Sequence, residues 1–418
     1  MIVLNQRFPT GDNRMKIVRL ALGLFTLLAI PAPAQTKFVH TSGKEIVDGN
    51  GKPLHLRGTN LGNWMVPEGY MWRFEGGPQS PTEIERLIVE LIGPTRAAEF
   101  WRQYRDNYIT QDDIRAIHAQ GFNVIRVPLH WKFFQTDNAD GFRLLDRVVR
   151  WSREAGLYVV LDLHAAPGGQ TGYNIDDGDG YPWLFRDAGA QRQTVDLWTR
   201  LARHYANDPT VLGYDLLNEP VPNYPGLEVL NPDVAAFYTR LSAAVRTVDK
   251  HHALILGGAQ WDNNFNIFQP PFDPNTIFTC HRYKAEPNQA AVKSFVAFRD
   301  KYNVPMWMGE TGENTDEWVA SFRKVLESND IGWAFWPYKK MEITSAVATI
   351  TPPPGWDQIV AYAKLPRGMG LVKERQKLRP PQAVIDAALA GLLQNIRFAN
   401  CKLNSGYIHA LLPDAPQP

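Results

Sequence analysis

The sequence predicts an α/β fold: a (β/α)8 TIM barrel with an N-terminal β-hairpin and enlarged βα loops at one face. Three observations carry the expectation. Eight short apolar runs recur along the chain, helical stretches separate most of them, and polar residues gather where the runs end. The runs are Leu54–Asn60, Val124–Pro128, Tyr158–Leu163, Leu212–Asn218, Ala253–Gly257, Ile277–His281, Pro305–Glu310 and Gly332–Trp336. They are rich in Val, Ile and Leu with little alternation, the pattern of parallel strands buried on both faces. The intervening helical segments include Gln111–Gln120, Phe142–Ala155, Gln191–Tyr205, Asp233–Val248, Gln289–Lys301 and Thr315–Ser328, with Pro380–Leu393 as the closing helix.

Before the first run, Phe38 to His55 reads as a hairpin, with Asp48-Gly49-Asn50-Gly51 as its turn chemistry. The connection from Gly62 to Thr110 is long and carries a helical piece near Thr82–Tyr104; a long loop after a barrel strand lies at the catalytic face. An open doubly wound sheet is the alternative architecture. It calls for a Gly-rich phosphate loop after the first strand, where this chain has Asn60-Leu61-Gly62-Asn63-Trp64. The tail from Asn400 reads as a loosely packed extension, so the expected organisation is 1–34 processing segment, 35–396 barrel and 397–418 extension.

Residues 1–34 read as a secretory signal. Arg14, Lys16 and Arg19 precede the apolar run Leu20–Ile30, and Ala32-Pro33-Ala34 is a small-residue cleavage pattern. The run is too short to span a bilayer as a helix, although an uncleaved tether is the competing reading. Met15 is a second plausible start. The expected mature protein is a soluble monomer, secreted or periplasmic, without stable membrane association. A net charge of +1 gives no footprint for nucleic acid. Two cysteines, Cys280 and Cys401, exclude a disulfide scaffold and are expected as free thiols. Thirteen Trp suit either a core or the stacking of sugar rings.

The polar residues at the strand ends carry the chemistry. Arg126 ends the second run and His164 follows the third. Asn218-Glu219-Pro220 ends the fourth, His281 and Tyr283 the sixth, Glu310 the seventh and Trp336 the eighth. Taken alone, each has a bland reading: a solvated loop charge, a structural histidine, a core tryptophan. In a barrel these ends converge on one mouth. Two carboxylates facing each other there suit glycosidic cleavage, one protonating the leaving oxygen and the other attacking the anomeric carbon. An Asn beside the acid can bond a sugar 2-hydroxyl, an Arg can hold a nucleophile ionised, and a Tyr can orient it. His130, His164 and His281 match no zinc spacing, and no metal or organic cofactor is expected. Asp162, Asp176, Asp177 and Asp179 are a candidate structural Ca²⁺ set.

These motifs resemble glycoside hydrolase family 5. Leu216-Leu217-Asn218-Glu219-Pro220 is similar to its acid/base motif and Met308-Gly309-Glu310-Thr311-Gly312 to its nucleophile motif. Asp162-Leu163-His164, Ile125-Arg126-Val127-Pro128 and His281-Arg282-Tyr283 resemble its supporting positions. The likeness runs from Phe38 to about Leu393 and is nearest to the exo-β-1,3-glucanase branch. Asn60-Leu61-Gly62-Asn63-Trp64 with Glu68, Tyr108-Ile109-Thr110 with Asp113-Ile114, and His164 to Tyr173 carry that branch resemblance. Asn63 stands where the branch has a Gly; Glu68-Gly69-Tyr70-Met71-Trp72 and Asn174–Trp183 depart from it. The resemblance implies Glu219 as acid/base, Glu310 as nucleophile and Glu68 as a binder of sugar hydroxyls. The expected function is a retaining β-glycosidase acting on β-glucans. An endo-β-1,4-glucanase, mannanase, β-glucosidase or transglycosylase are alternatives within the class. A non-catalytic carbohydrate-binding barrel or a surface scaffold are alternatives outside it.

Overall fold

The computed structural model describes residues 37–137 and 139–414. The processing segment expected at 1–34 lies outside the described residues. Eight parallel strands close into a barrel: β1 (Arg57–Asn60), β2 (Val124–His130), β3 (Tyr158–Ala165), β4 (Val211–Asp215), β5 (Ala253–Gly257), β6 (Thr276–His281), β7 (Met306–Gly312) and β8 (Gly332–Trp336). Each pairs with its sequence neighbour, and β8 pairs back onto β1 through Ala334↔Gly58. All eight predicted runs are strands, because residues such as Val124, Ile125, Val127 and Leu129 are buried on both faces of the sheet. Two of the register shifts fall near the C-terminal strand ends, at Leu129/His130 and Cys280/His281, where they re-aim the side chains that follow.

The N-terminal hairpin forms, but not through the expected turn. His40–Ser42 pairs with Glu45–Val47 across Gly43-Lys44, with Gly43 at φ 59°. Asp48–Gly51 is a second turn. The Asp48 carboxylate accepts from the Asn50 and Lys52 amides at 2.8 and 2.9 Å, sending the chain back so that Leu54 pairs with Ile46. Val39 and Ile46 of the hairpin pack with Leu56, Val124, Val160, Leu212, Ile255, Ile277 and Trp307 in an apolar cluster that fills the N-terminal end of the barrel.

The long connection after β1 holds two helices rather than one piece, Pro81–Ile92 and Pro94–Tyr108. Ser80 and Glu83 form a capping box that starts the first. Gly93, at φ 78°, ends it, and Pro94 opens the second. Trp72 stacks on Tyr104 of the second helix and meets Trp101 of that helix and Trp356 at tilted angles. Trp64, Trp72, Trp198, Trp307, Trp333 and Trp356 are fully buried, so much of the tryptophan content is core.

The tail is not loose. Lys402–Leu403 pairs with Ala348–Ile350, and helix Ser405–Leu411 packs on helix Asp316–Glu327. Tyr407, Ile408 and Leu411 are buried, and Arg323 Nε donates to the Ala410 carbonyl at 3.0 Å. The apolar spacing of that short helix anchors it. Cys280 and Cys401 are free. No helix among the described residues is long and apolar enough to cross a membrane.

Candidate active site

The C-terminal end of the barrel is built around Arg126 of β2, which is fully buried. Its Nε donates to Asp215 Oδ2 at 2.8 Å, and Nη2 donates to Asn218 Oδ1 at 2.9 Å and lies 3.1 Å from Asp162 Oδ1. Nη1 donates to Asn60 Oδ1 at 3.2 Å and to Glu310 Oε1. One guanidinium thus serves three carboxyl groups brought from β3, β4 and β7. Burial pushes Asp162 and Asp215 up to about 7 each, against the opposing pull of Arg126.

Glu310 sits near the end of β7. Its second oxygen accepts from the Tyr283 hydroxyl at 3.1 Å. Gly309 must be a glycine, because a Cβ there would fall 2.3 Å from Thr279 Oγ1. Glu219 follows β4 with φ at 48°, a left-handed conformation that turns its side chain across the mouth. One carboxylate oxygen of Glu219 lies within 4.8 Å of one of Glu310, with a His281 ring nitrogen inside the same span. His281 Nδ1 is 2.9 Å from Glu219 Oε1, and its Nε2 is 3.3 Å from Asp262 Oδ2. Burial holds His281 down to about 3 and His164 down to about 4, so both rings are neutral at pH 7. Burial raises Glu219, while His164 and Arg126 oppose the rise.

The other expected residues converge here as well. His164 Nδ1 is 2.8 Å from Asp162 Oδ2, and its ring stacks on Trp336 with centroids 5.5 Å apart and planes 6° apart. Gly62 leaves room for that indole: a Cβ would lie 2.5 Å from the Trp336 ring. Glu68 is buried, and burial followed by the charge of Glu310 raises it well above the usual carboxylate range. Asn218 Nδ2 and Glu68 Oε1 are among the buried polar atoms without a hydrogen-bond partner among the described residues.

Some contributors were not singled out from sequence. Asp215 was visible only as a charge inside an otherwise apolar strand. Tyr70 accepts from Trp336 Nε1 at 2.8 Å, and the Lys340 ammonium, paired to Glu313 at 2.6 Å, lies 4.1 Å above the Tyr70 ring centroid. Asp262 accepts the Glu219 backbone N–H at 3.3 Å and comes at the end of three consecutive left-handed residues, Gln260, Trp261 and Asp262. Nothing in the polar run Gln260–Asn264 marks that geometry in advance.

The candidate Ca²⁺ set does not assemble. Asp162 faces Arg126, and Asp176 accepts the amides of Thr171, Gly172 and Gly178. Asp177 binds Thr82 and Lys132, and Asp179 is exposed. His130 lies against Asp177 at 3.3 Å, away from the other two histidines' carboxyl partners. The metal-like groupings present, Asp162–His164–Glu310 and Glu219–His281–Glu310, both draw on the mouth's own carboxyl–imidazole contacts.

Residues 89–342 match the model of the family described as Cellulase (glycosyl hydrolase family 5). The chain belongs to glycoside hydrolase family 5. It is 28% identical over 345 residues to a β-xylosidase of Phanerodontia chrysosporium, covering 72% of this chain and 71% of that one. It is 30% identical over 278 residues to the probable glucan 1,3-β-glucosidase A of Aspergillus fumigatus, covering 64% of each. The chain therefore spans less than two thirds of the latter's length. Among solved structures it resembles a crystal structure of an endogalactoceramidase, with a TM-score of 0.56 at 21% identity, covering 85% of this chain and 84% of that one. That likeness is one of fold. The family match makes the protein a glycoside hydrolase, and a glucan 1,3-β-glucosidase is among its relatives.

Proposed function

We propose that this family 5 hydrolase is an exported, retaining β-glycosidase that removes sugars from the ends of β-glucan chains, with Glu310 as nucleophile and Glu219 as acid/base. The observation that carries the reading is the close approach of the two carboxyl groups, within 4.8 Å between nearest ligand oxygens. Retaining enzymes hold their carboxyl groups about 5–5.5 Å apart, whereas inverting enzymes need about 6.5–9.5 Å to admit a water.

The chemistry follows from the contacts. Arg126 and the Tyr283 hydroxyl each hold one oxygen of Glu310, fixing its orientation. Glu310 attacks the anomeric carbon as the bond to the leaving oxygen breaks. Glu219, whose raised pKa favours the protonated form, gives that oxygen its proton. The ionised Glu219 then takes a proton from water, which attacks the glycosyl–Glu310 ester and releases sugar with its configuration kept. Asn218 Nδ2 is the free donor for a sugar 2-hydroxyl, and Glu68 Oε1 the free acceptor for a hydroxyl deeper in the pocket. Trp336, held flat by His164 and Tyr70, offers the ring face.

Action at chain ends is supported by the wall on one side of the mouth. Asp177, from the loop after β3, accepts from the Thr82 amide at 2.9 Å and from its hydroxyl at 2.6 Å, and from Lys132 at 2.6 Å. Three loops, those after β1, β2 and β3, are joined by one carboxylate. The experiment is product analysis on β-1,3-, β-1,4- and β-1,6-glucans and mannan, with aryl β-glucoside and β-xyloside beside them. The xyloside is included because a relative is a β-xylosidase. Monosaccharide released as the β-anomer first, from β-1,3-glucan above the others, is the expected result. Mixed long oligosaccharides overturn end-wise action, and α-anomer overturns retention. Recovery of the protein outside the cytoplasm, cut after Ala34, tests export.

A further inference from the structure

The segment between helix Trp356–Ala363 and helix Gln382–Asn395 turns one charged side chain, Arg375, inward and leaves large aliphatic groups outward. Arg375 is buried: its Nε donates to Glu90 Oε1 at 3.0 Å and its Nη1 to the Leu365 carbonyl at 2.8 Å. Met369, in contrast, is 96% exposed, and Leu371, Val372 and Leu378 are exposed with it. Of nine exposed large hydrophobic side chains among the described residues, four lie in these ten positions, and a fifth, Val89, is next to Glu90. Single exposed aliphatics mean nothing; a cluster of this kind on a segment pinned by the Arg375–Glu90 ion pair does.

The charge around it is predominantly positive. Lys364, Lys373 and Lys377 are exposed, as is Arg86 on the neighbouring helix, and none forms an ion pair with a described residue. Of the acids beside it, Glu90 is paired with Arg375 and Arg367, while Glu83 lines the same cleft as Arg86 and Lys364, so cations outnumber acids without excluding them. Glu374 is the sole exposed acid within 364–378. A net charge of +1 over the whole chain thus conceals a local cationic face.

We propose that residues 364–378, with Arg86 and Val89 beside them, form a docking surface for an anionic lipid bilayer. Aliphatic tips gain by entering the acyl boundary, and lysines flanking them meet the headgroups. An anionic polysaccharide would reward the lysines but not Met369 or Val372. The segment lines a cleft with Gly76, Gly77 and Pro78, which belong to the loop after β1. That loop also carries Glu68 and Tyr70, so docking would hold the enzyme by the catalytic side of the barrel. This refines the expectation of a protein without stable membrane association: binding would be peripheral and reversible.

The test is flotation of the purified protein with phosphatidylglycerol vesicles and, separately, phosphatidylcholine vesicles, at low and physiological salt. Binding to the former and not the latter is expected, weakening with salt. Lys373→Gln with Lys377→Gln should cut the apparent affinity about 25-fold, two surface cations at roughly fivefold each. Met369→Ser with Val372→Ser should cut it by a similar factor. Aryl glycoside hydrolysis in free solution should be unchanged in both, which shows the variants folded. Four outcomes overturn the proposal. They are no flotation at low salt, equal flotation with both lipids, binding indifferent to the two serines, and binding that survives both double variants through another part of the chain. Concentration-dependent dimerisation that the serines abolish, without flotation, would assign the patch to a second copy of the chain and overturn it as well.

Discussion

The two ends of the barrel are made by the same eight strands and have opposite chemistry. At the N-terminal end, Val39, Ile46, Leu56, Ile255 and Trp307 close a dry plug. At the C-terminal end, Arg126, Asp162, Asp215, Asp262 and Glu310 lie buried together, with Glu219 partly exposed beside them. Burial stabilises the first at about 25 cal/mol per Å² of apolar surface. At the second it works against folding, since each ion must be stripped of water and repaid by a partner. The difference teaches where the fold's stability and its chemistry are separated: a change at the plug should alter stability alone, and a change at the mouth should alter turnover first.

The largest effect belongs to Glu310. Glu310→Ala should reduce kcat on aryl β-glucosides by about 10⁴-fold or more, the scale on which loss of a nucleophile acts. Its thermal unfolding should stay near that of the wild type. Turnover close to wild type would end the assignment. Arg126→Met is the next largest and breaks the comparison on purpose, since Arg126 serves both stability and chemistry. It leaves Asp162, Asp215 and Glu310 facing one another without a cation. Urea denaturation should report a loss of about 3–5 kcal/mol, the usual result of removing one member of a buried ion cluster. Activity should fall with it.

The plug was largely legible in the sequence and the mouth only in part, for a physical reason. Val124–Leu129, apolar but for Arg126, and Leu254–Leu256 read as strands because short Val/Ile/Leu-rich runs between helical stretches suit a buried parallel sheet. Glu219 and Glu310 stand out because they directly follow such runs. Asp215 and Asp262 do not stand out, because their roles depend on contacts across the barrel. Asp215 meets Arg126 from 89 positions away, and Asp262 reaches Glu219 and His281 only through a left-handed turn. The hairpin shows the converse error. Asp48–Gly51 is the stronger turn signal and is indeed a turn, but Gly43-Lys44 closes the paired strands. The tail was misjudged because its anchoring residues, Tyr407, Ile408 and Leu411, occupy under two helical turns, too short for a periodicity to declare itself.

Ile46→Ala tests the other side of the comparison. It removes three carbons from the plug far from the carboxyl pair. A loss of about 2–4 kcal/mol in unfolding free energy is expected from the transfer and cavity terms together. The kcat and KM of the folded fraction should match the wild type. A changed KM would mean that the hairpin shapes the mouth, and the separation of the two ends would fail.

The last effect, smallest per unit of the variable changed, is one of pH and falls on Asp215. Its folded pKa is raised to about 7 from an ordinary 3.8, chiefly by burial. A carboxyl raised in this way binds its proton more tightly folded than unfolded. Its favourable contribution is complete below about pH 4 and is lost as pH rises through about 7. His164 and His281, lowered to about 4 and 3, act in the opposite direction, since they must charge on unfolding below about pH 6.5. The stability of the wild type alone therefore mixes the two trends. The difference between Asp215→Asn and wild type isolates the carboxyl, because the amide does not titrate and still reaches Arg126. Relative to wild type, the variant should gain stability between pH 4 and 7, by no more than about 1.4 kcal/mol per pH unit, the slope of one proton. A flat difference over that window would mean that Arg126 keeps Asp215 ionised in the folded protein. The charge at the mouth would then be balanced by a proton on Asp162 or Asp262 instead.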